Sequence, residues 1–370
     1  MRVKIEKLDN YGRGITYLNN KICFVENSLP NELVEIEIIK EKAKYLEAKV
    51  INYIEVSKDR IDPLCPYYDK CGGCNLRHLD YQKENIWKEE KVQAILKHIG
   101  NIDIKVNNII YGNESNYRNK VTLHNSNNRI GYYSKGTNDI LEIDECLLLD
   151  NKINEVIKNI KSTDKEIIIR TSNDSEDIII NDNKRIITNI GSKKYYLSRD
   201  SFFQINRFIT KDLFDIIRKS INKKYHTCLD LYCGTGTIGI YIADLVNKVI
   251  GIDNNKSNIN DANDNIKLNN INNIEFICSN VEDKIEEFTN IDLIIVDPPR
   301  SGLDSKTKKY LEKINPERII YVSCDPITLA RDLKDLNNNY NVLEVTPVNM
   351  FPRTYHCETI AVLERIKCYE

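Results

Sequence analysis

The stretch Thr227-Cys-Leu-Asp-Leu-Tyr-Cys-Gly-Thr-Gly-Thr-Ile238 decides the fold of the C-terminal half of this chain. Apolar residues up to Leu231 predict a buried strand, and the apolar pattern that starts at Ile238 predicts a helix. Between them, Gly234 and Gly236 would let the backbone approach a ligand closely at the start of the helix.

Strands and helices alternate on the C-terminal side of about residue 205. This alternation predicts a doubly wound, Rossmann-like α/β domain. The predicted strands are Thr227–Leu231, Lys248–Ile252, Ile274–Ser279, Leu293–Val296, Ile319–Val322, Val342–Val345 and Thr359–Leu363. The predicted helices begin near Ile238 or cover Ile259–Leu268, Lys306–Ile314 and Ile327–Leu336.

Two regions of different character precede this domain. Residues 1–57 contain five short strand patterns, including Val3–Leu8, and predict a small OB-like barrel, a fold often used on RNA; a purely structural β module stays open. Residues 58–200 combine a cysteine loop, an amphipathic helix at Tyr81–Ile99 and a β-rich remainder. Ile86, Val92, Ile95 and Leu96 are the apolar positions of that helix, which we expect to pack on the C-terminal domain, residues 201–370.

Composition bounds the class of protein. The chain has 370 residues, 41% hydrophobic and 29% charged, with a net charge of −2, so no global basic field indicates a nucleic-acid partner. It contains no run of eighteen apolar residues and no secretory leader pattern, and we expect a cytoplasmic protein without a membrane segment. Eleven cysteines, an odd number, favour metal or catalytic use over a disulfide framework.

Four cysteines form a candidate metal site. Cys65, Cys71 and Cys74 are spaced Cys-x5-Cys-x2-Cys, and Cys146 follows far along the chain. Zinc and an iron–sulfur cluster could both use four thiolates. Because the paired Cys-x2-Cys knuckles usual for zinc are missing, the pattern favours a [4Fe–4S] cluster.

Polar residues that follow predicted strands form a candidate ligand site. Asp253 ends the strand after the glycine turn, where ribose hydroxyls are usually held, and Asn280 follows the third strand, where it could reach an adenine. Asp297 begins Asp-Pro-Pro-Arg300, a motif that alone resembles that of enzymes methylating exocyclic amines of bases. The Asp-x-Tyr-Cys-Gly-x-Gly turn itself resembles that of S-adenosylmethionine-dependent methyltransferases.

A cysteine and a glutamate are the candidate catalytic residues. Cys324, in Ser-Cys-Asp-Pro326, lies between a predicted strand and a helix, where the helix dipole is expected to stabilise a thiolate nucleophile. Glu358, just before the last strand, is the candidate general base. His356 is a rival base, and Cys357 is a lower-ranked rival thiol.

Together these motifs resemble the RNA uracil-5-methyltransferase family, specifically its iron–sulfur branch with an N-terminal TRAM domain. The resemblance covers almost the whole chain. It rests on Phe24-Val-Glu-Asn-Ser-Leu-Pro30, the cysteine loop through His78, Tyr117-Arg-Asn-Lys120, Phe202-Phe-Gln-Ile-Asn206, Leu231-Tyr-Cys-Gly-Thr-Gly236, Asp297-Pro-Pro-Arg-Ser-Gly-Leu303, Ser323-Cys-Asp-Pro326, Met350-Phe-Pro352 and His356-Cys-Glu358.

The resemblance implies a covalent mechanism. Cys324 would attack carbon 6 of a flipped uracil so that carbon 5 accepts the methyl group, and Glu358 would remove the carbon-5 proton. Cys65, Cys71, Cys74 and Cys146 would hold the cluster, and the contacts to S-adenosylmethionine would come from Gln204, Tyr232, Thr237, Asp253, Asn280 and Asp297. The family often has Asn in place of Thr237 and Glu in place of Asp253, but both residues keep hydrogen-bonding capacity.

The resemblance also implies an RNA partner. Large-subunit (23S) ribosomal RNA is the favoured substrate and transfer RNA the second; exocyclic-amine methylation and a non-catalytic RNA-binding role are the alternatives. We expect a monomer without a protein partner. The candidate stacking residues are Tyr132, Tyr133, Phe351 and Tyr355, and the candidate phosphate contacts are Arg118, Lys120 and Arg300.

Overall fold

In the computed structural model, which describes residues 1–366, the N-terminal region is a closed six-stranded barrel. Its strands are β1 (Arg2–Lys4), β2 (Lys7–Leu8), β3 (Gly14–Leu18), β4 (Lys21–Glu26), β5 (Leu33–Glu41) and β6 (Tyr45–Glu55). They lie in the order β1-β5-β6-β4-β3-β2. The predicted strand Val3–Leu8 is divided in two, because the Ile5 amide bonds to Glu32 and the next amide bonds to Ile15 across the barrel.

A long helix follows the irregular cysteine loop. Helix α1 (Tyr81–His98) is capped by Asp80 and packs Val92, Ile95 and Leu96 into the C-terminal core. The prediction for Ile86 is wrong, since this side chain is exposed. Charged side chains take the inner face of the first turns instead.

The central region is a five-stranded antiparallel sheet covered by a short helix. Its elements are β7 (Lys120–Ser126), β8 (Arg129–Tyr133), β9 (Ile140–Glu142), α2 (Asn151–Ile157), β10 (Glu166–Thr171) and β11 (Ile178–Ile180), with strand order β11-β10-β7-β8-β9. A hairpin of β12 (Ile186–Ile190) and β13 (Lys193–Leu197) follows and shares its core with the C-terminal domain.

The C-terminal region is the predicted doubly wound sheet. Its elements are α3 (Thr210–Lys219), β14 (Tyr225–Leu231), α4 (Thr237–Ile242), β15 (Val246–Asp253), α5 (Lys256–Leu268), β16 (Ile274–Cys278), α6 (Val281–Lys284), β17 (Leu293–Val296), α7 (Ser305–Ile314), β18 (Arg318–Ser323), α8 (Pro326–Leu336), β19 (Tyr340–Val348) and β20 (Glu358–Arg365). The strand order is β16-β15-β14-β17-β18-β20-β19, and β14 to β18 are parallel. The fold class, α/β with an N-terminal β-barrel, is therefore confirmed. Residues 367–370, the end of the predicted C-terminal domain, lie outside the described residues.

The direction of β20 positions the candidate catalytic residues. Parallel strands β14 to β18 end at one edge of the sheet, where ligands bind in open α/β folds. Because β20 is antiparallel to β18, with Thr359 paired to Ser323, it begins at that same edge. Cys324 and Glu358, far apart in sequence, thus become neighbours. Within residues 1–366, no helix is long and apolar enough to cross a membrane.

Candidate active site at the strand ends

A cavity of about 650 Å³ opens at the carboxyl edge of the sheet. It brings together seven of the eight residues predicted from the sequence for catalysis and cofactor binding: Gln204, Tyr232, Asp253, Asn280, Asp297, Cys324 and Glu358. Thr237 is not among its lining residues. Thr237 is the first residue of α4, and its carbonyl oxygen accepts a hydrogen bond from the Tyr195 hydroxyl at 3.3 Å.

The glycine turn after β14 needs an unusual backbone. Gly236 has a φ of +75°, and a Cβ atom there would lie 2.3 Å from the Phe276 ring. Tyr232 also has a positive φ, of 63°, which is uncommon for a bulky residue and marks a strained turn. The turn is fixed to the next strand by the Gly234 amide, which donates to Asp253 Oδ2 at 3.0 Å.

Asp253 is held rigidly by its neighbours. Its Oδ1 atom accepts hydrogen bonds from the Asn255 amide at 2.9 Å and from Asn258 Nδ2 at 3.1 Å. Asn258 Oδ1 in turn accepts from the Phe202 amide at 3.1 Å. The sequence analysis does not identify Asn258, which also lines the cavity, because a single Asn does not stand out in an Asn-rich stretch. Its signal was its place in the first turn of the helix after Asp253.

Three acidic groups share the reacting end of the cavity. Glu358 is 3% exposed, and burial followed by the nearby Asp297 raises its pKa well above the usual value. Burial raises the pKa of Asp297 to about 7. Burial is the main cause that raises the pKa of the Cys324 thiol to about 11, and the negative charges of Glu358 and Asp297 add to it. The Arg300 guanidinium opposes the rise. The expected thiolate stabilisation by the helix dipole is outweighed here.

The rival residues lie differently. Cys357 is fully buried, and its Sγ atom faces the backbone oxygens of Val348 and Glu358. His356 Nε2 lies 3.3 Å from Arg300 Nη2, and burial followed by this cation lowers the pKa of His356 to about 4. His356 faces a separate, neighbouring cavity rather than the 650 Å³ cavity. Geometry therefore favours Cys324 and Glu358.

The loop between β19 and β20 is anchored to α1 by buried charges. Glu84 and Lys88 form an ion pair of 2.9 Å with both side chains fully buried. Glu84 also accepts from the Arg353 amide at 2.9 Å, and Lys88 donates to Asn349 at 2.7 Å and to the Phe351 carbonyl at 3.1 Å. The segment that leads into Glu358 is therefore fixed from outside the sheet.

The four predicted metal-binding cysteines line one cavity of about 390 Å³. Burial raises the pKa of Cys74 to about 11, and burial also raises the pKa of Cys71, with Cys146 and Cys65 adding to the rise. In the part of the chain that the structure describes, no group of three or more His, Cys, Asp or Glu side chains is arranged to hold a metal ion. The cluster therefore stays a prediction.

The residues predicted to contact RNA fall into separate places. Arg118, Lys120, Tyr132 and Tyr133 line the cysteine cavity. Arg300 and Phe351 line the 650 Å³ cavity, and Tyr355 faces the cavity next to it. The sequence could not separate these two groups.

Comparison with known proteins supports a specific class of enzyme. The profile of the tRNA (uracil-5-)-methyltransferase family matches residues 88–366, and that of the TRAM domain matches residues 1–51. An uncharacterized RNA methyltransferase of Aquifex aeolicus is 32% identical, over 98% of both chains. Another, from Clostridium tetani, is 31% identical over 95% of this chain and 93% of its own.

A solved structure is similar over nearly the whole chain. The Pyrococcus abyssi tRNA (uracil-54, C5)-methyltransferase, in complex with S-adenosyl-L-homocysteine, superposes with a TM-score of 0.79 and 25% identity. The match covers 98% of this chain and all of that one. This chain belongs to the tRNA (uracil-5-)-methyltransferase family, S-adenosylmethionine-dependent enzymes that act on RNA, and it carries an N-terminal TRAM domain.

Proposed function

We propose that this enzyme methylates carbon 5 of a uridine in RNA through a covalent adduct between Cys324 and the uracil. The observation that carries the proposal is the pairing of β18 with β20, which sets Cys324 and Glu358 on one cavity. Uracil carbon 5 is a weak nucleophile, so a thiol that adds at carbon 6 has a chemical purpose. Methylation of an exocyclic amine would need no such thiol.

The roles of the chain's residues follow from that chemistry. Cys324, as the thiolate, forms a bond from Sγ to carbon 6, and the electron pair of the 5,6 double bond moves onto carbon 5 and oxygen 4. Carbon 5 then takes the methyl group. Glu358, as the carboxylate, accepts the carbon-5 proton, and the pair from that bond restores the double bond as the Cys324 thiolate leaves. Arg300 favours the ionised forms of both residues.

The cavity lining suits S-adenosylmethionine, which supplies the methyl group from a sulfonium cation. We assign its contacts to Gln204, Tyr232, Asp253, Asn280 and Asp297, together with the turn that ends at Thr237. Burial raises the pKa of Asp297, Cys324 and Glu358, and neighbouring acids add to the rise for Cys324 and Glu358. A positive charge beside them would lower all three pKa values, because it stabilises the ionised forms. A bound sulfonium would therefore oppose the effect of burial on these three groups.

We also propose that Cys65, Cys71, Cys74 and Cys146 hold a [4Fe–4S] cluster. The 390 Å³ cavity they share fits a group larger than one metal ion, and Arg77 and Arg118 line it with positive charge that suits an anionic thiolate cluster. Arg77 already lowers the pKa of Cys74 against the effect of burial. Anaerobic purification and an absorbance spectrum test this assignment, and a colourless protein with one bound zinc would contradict it.

The proposed substrate is 23S ribosomal RNA, by analogy with the TRAM and cluster-bearing branch of the family. Transfer RNA is the second candidate, because the similar Pyrococcus abyssi enzyme is named for uracil 54 of tRNA. Unmodified transcripts of both RNAs, offered at equal concentration, separate the two. Methylation confined to tRNA would overturn the ribosomal assignment.

We propose three domains: residues 1–57 form the TRAM domain, residues 58–200 the cluster region with the central sheet, and residues 201–370 the methyltransferase domain. Limited proteolysis tests these boundaries. Cuts that fall near residues 57 and 200 would support them.

RNA containing 5-fluorouridine tests the covalent mechanism. Fluorine at carbon 5 cannot leave as a proton, so the methylated adduct should accumulate and survive denaturing electrophoresis. Cys324→Ala should abolish the adduct, while Cys278→Ala, a change at an exposed thiol that does not line the cavity, should leave it intact. Methylation of ordinary RNA by Cys324→Ala at the wild-type rate would refute the assignment.

A further inference from the structure

A row of aromatic rings connects the N-terminal barrel with the candidate active site. Tyr11, in the turn before β3, lies edge-on to Tyr355 with ring centroids 5.3 Å apart. Tyr355 is 4.1 Å from His356, and His356 is 5.9 Å from Phe351, which lines the 650 Å³ cavity. The barrel therefore supplies one wall of the route to the reacting residues.

A second, smaller cavity lies along this row. Its volume is about 220 Å³, and it shares Cys324 and Arg300 with the larger cavity. Its other polar and aromatic walls are Asn10, Tyr11, Lys91, Asp325, Tyr355 and His356. A group bound there would lie directly beside whatever occupies the reacting position at Cys324.

A third opening continues the path on the far side of the same two rings. Tyr11 and Tyr355 also border a groove of about 290 Å³, which is lined further by Arg13, Asn27 and the ion pair of Lys135 with Glu26. Two cavities thus meet at the Tyr11–Tyr355 pair, one toward the catalytic thiol and one toward the cysteine loop. A single-stranded segment of RNA can follow such a path.

The turn that carries Tyr11 is rigid. Asp9 Oδ1 accepts from the amides of Tyr11 at 2.9 Å and Arg13 at 2.8 Å, and the Arg13 guanidinium lies over the Phe24 ring at 4.3 Å. Gly12, with a φ of +80°, fits so tightly that a Cβ atom would come within 2.7 Å of Leu76 in the cysteine loop. Tyr11 is nevertheless 51% exposed. An exposed ring on a fixed turn costs little entropy when a ligand stacks on it.

We propose that the 220 Å³ cavity receives the base of an unpaired nucleotide adjacent to the target uridine, stacked against Tyr11. That this nucleotide is next to a target uridine rests on the proposed function. That a base stacks on Tyr11 does not. When a base is extruded from its stack, its neighbour loses a partner on one face, and an aromatic side chain can replace that partner. The base next to the target is thereby held while Cys324 reaches the target itself.

Fluorescence of a short oligouridylate with one central 2-aminopurine tests the stacking directly. Stacking on a ring quenches 2-aminopurine, and a base–aromatic stack lost on substitution by alanine weakens binding about 5-fold or more. We expect that loss in Tyr11→Ala. Tyr11→Phe, which keeps the ring, and Tyr17→Ala, which removes a tyrosine 53% exposed in β3 of the same barrel, should each stay within about 2-fold of wild type.

Two results would overturn the inference. One is Tyr11→Ala binding and quenching the probe as Tyr17→Ala does. The other is Tyr11→Phe failing as badly as Tyr11→Ala, which would assign the effect to the hydroxyl or the fold of the turn. Circular dichroism identifies an unfolded variant, and Tyr11→Leu, which keeps an apolar side chain but removes the ring, then carries the test and should lose binding as Tyr11→Ala would.

Methylation kinetics separate this inference from the proposed function. With RNA transcripts as substrate, Tyr11→Ala should raise the KM for RNA about 5-fold or more and leave kcat within about 2-fold, because the lost contact binds ground and transition states alike. Wild-type methylation with equal KM values for Tyr11→Ala and Tyr17→Ala would remove the inference and keep the function. A wild-type enzyme that methylates no uridine would refute the function, and the fluorescence result would still decide the stacking.

Discussion

Replacing Lys88 by Met tests whether buried charge anchors the loop between β19 and β20. Both Lys88 and Glu84 are 0% exposed, and the ammonium donates to Glu84, Asn349 and the Phe351 carbonyl. The substitution leaves a buried carboxylate whose nearest remaining cation is Arg353, at 3.6 Å. Breaking a buried pair costs about 3–5 kcal/mol, and the remaining arginine favours the lower end of that range. A loss of about 3 kcal/mol is a large part of a typical stability of about 5–15 kcal/mol.

Urea unfolding, monitored by tyrosine fluorescence, measures the loss of stability. Hydrogen exchange of residues 349–356 measures the loosening of the loop. The matched control is Lys97→Met on the same helix, where the pair with Asp103 is exposed and about 0–1 kcal/mol is expected. The double variant Glu84→Gln with Lys88→Met leaves no buried charge on α1 at this pair and should recover part of the loss. A Lys88→Met protein as stable as Lys97→Met, with unchanged exchange in the loop, would refute the anchoring role.

Three further predictions concern the site itself. The rate of Cys324 alkylation should keep rising from pH 9 to 11, because its thiol has a pKa of about 11. Glu358→Gln should lower that pKa, because it removes a nearby negative charge. Mass spectrometry of the alkylated peptide as a function of pH checks both. Burial raises the pKa of Asp230 to about 7, so the free energy of unfolding falls as pH rises from about 4 to 7. Asp230→Asn does not have this loss, and urea unfolding should show its stability rising relative to wild type over that range by at most about 4 kcal/mol. Gly236→Ala should weaken S-adenosylhomocysteine binding in calorimetry and cost at least about 1–2 kcal/mol of stability, because it forces a side chain into a left-handed backbone against Phe276; unchanged affinity would contradict the close-packed turn.

The sequence predicted the C-terminal sheet well because its strands are continuous apolar runs separated by helical patterns. The same logic predicted that polar residues after the strands would meet, and Asp253, Asn280, Asp297 and Cys324 line one cavity. The sequence alone made Glu358 a candidate base, but its position beside Cys324 could be expected only through the family resemblance. Its approach to Cys324 depends on β20 running antiparallel to β18, and apolar periodicity does not reveal strand direction.

Other features depended on contacts that no local pattern encodes. The inner face of α1 was assigned to Ile86, but the structure buries Glu84 and Lys88 there, because their partners lie in a loop more than 250 residues away. The pKa of Cys324 was expected to fall at the start of a helix, yet burial and two acids from other strands raise it. The local sequence predicts where a side chain lies on its own helix or strand. The neighbouring helices and strands determine whether that side chain is charged.

The most direct test of the central claim uses RNA transcribed with uridine tritiated at carbon 5, incubated with the enzyme and S-adenosylmethionine. Covalent activation by Cys324 and proton removal by Glu358 predict one tritium released for each methyl group incorporated. Methyl incorporation without tritium release would move the target to an amine or a ribose hydroxyl and would reduce Cys324 to a structural thiol.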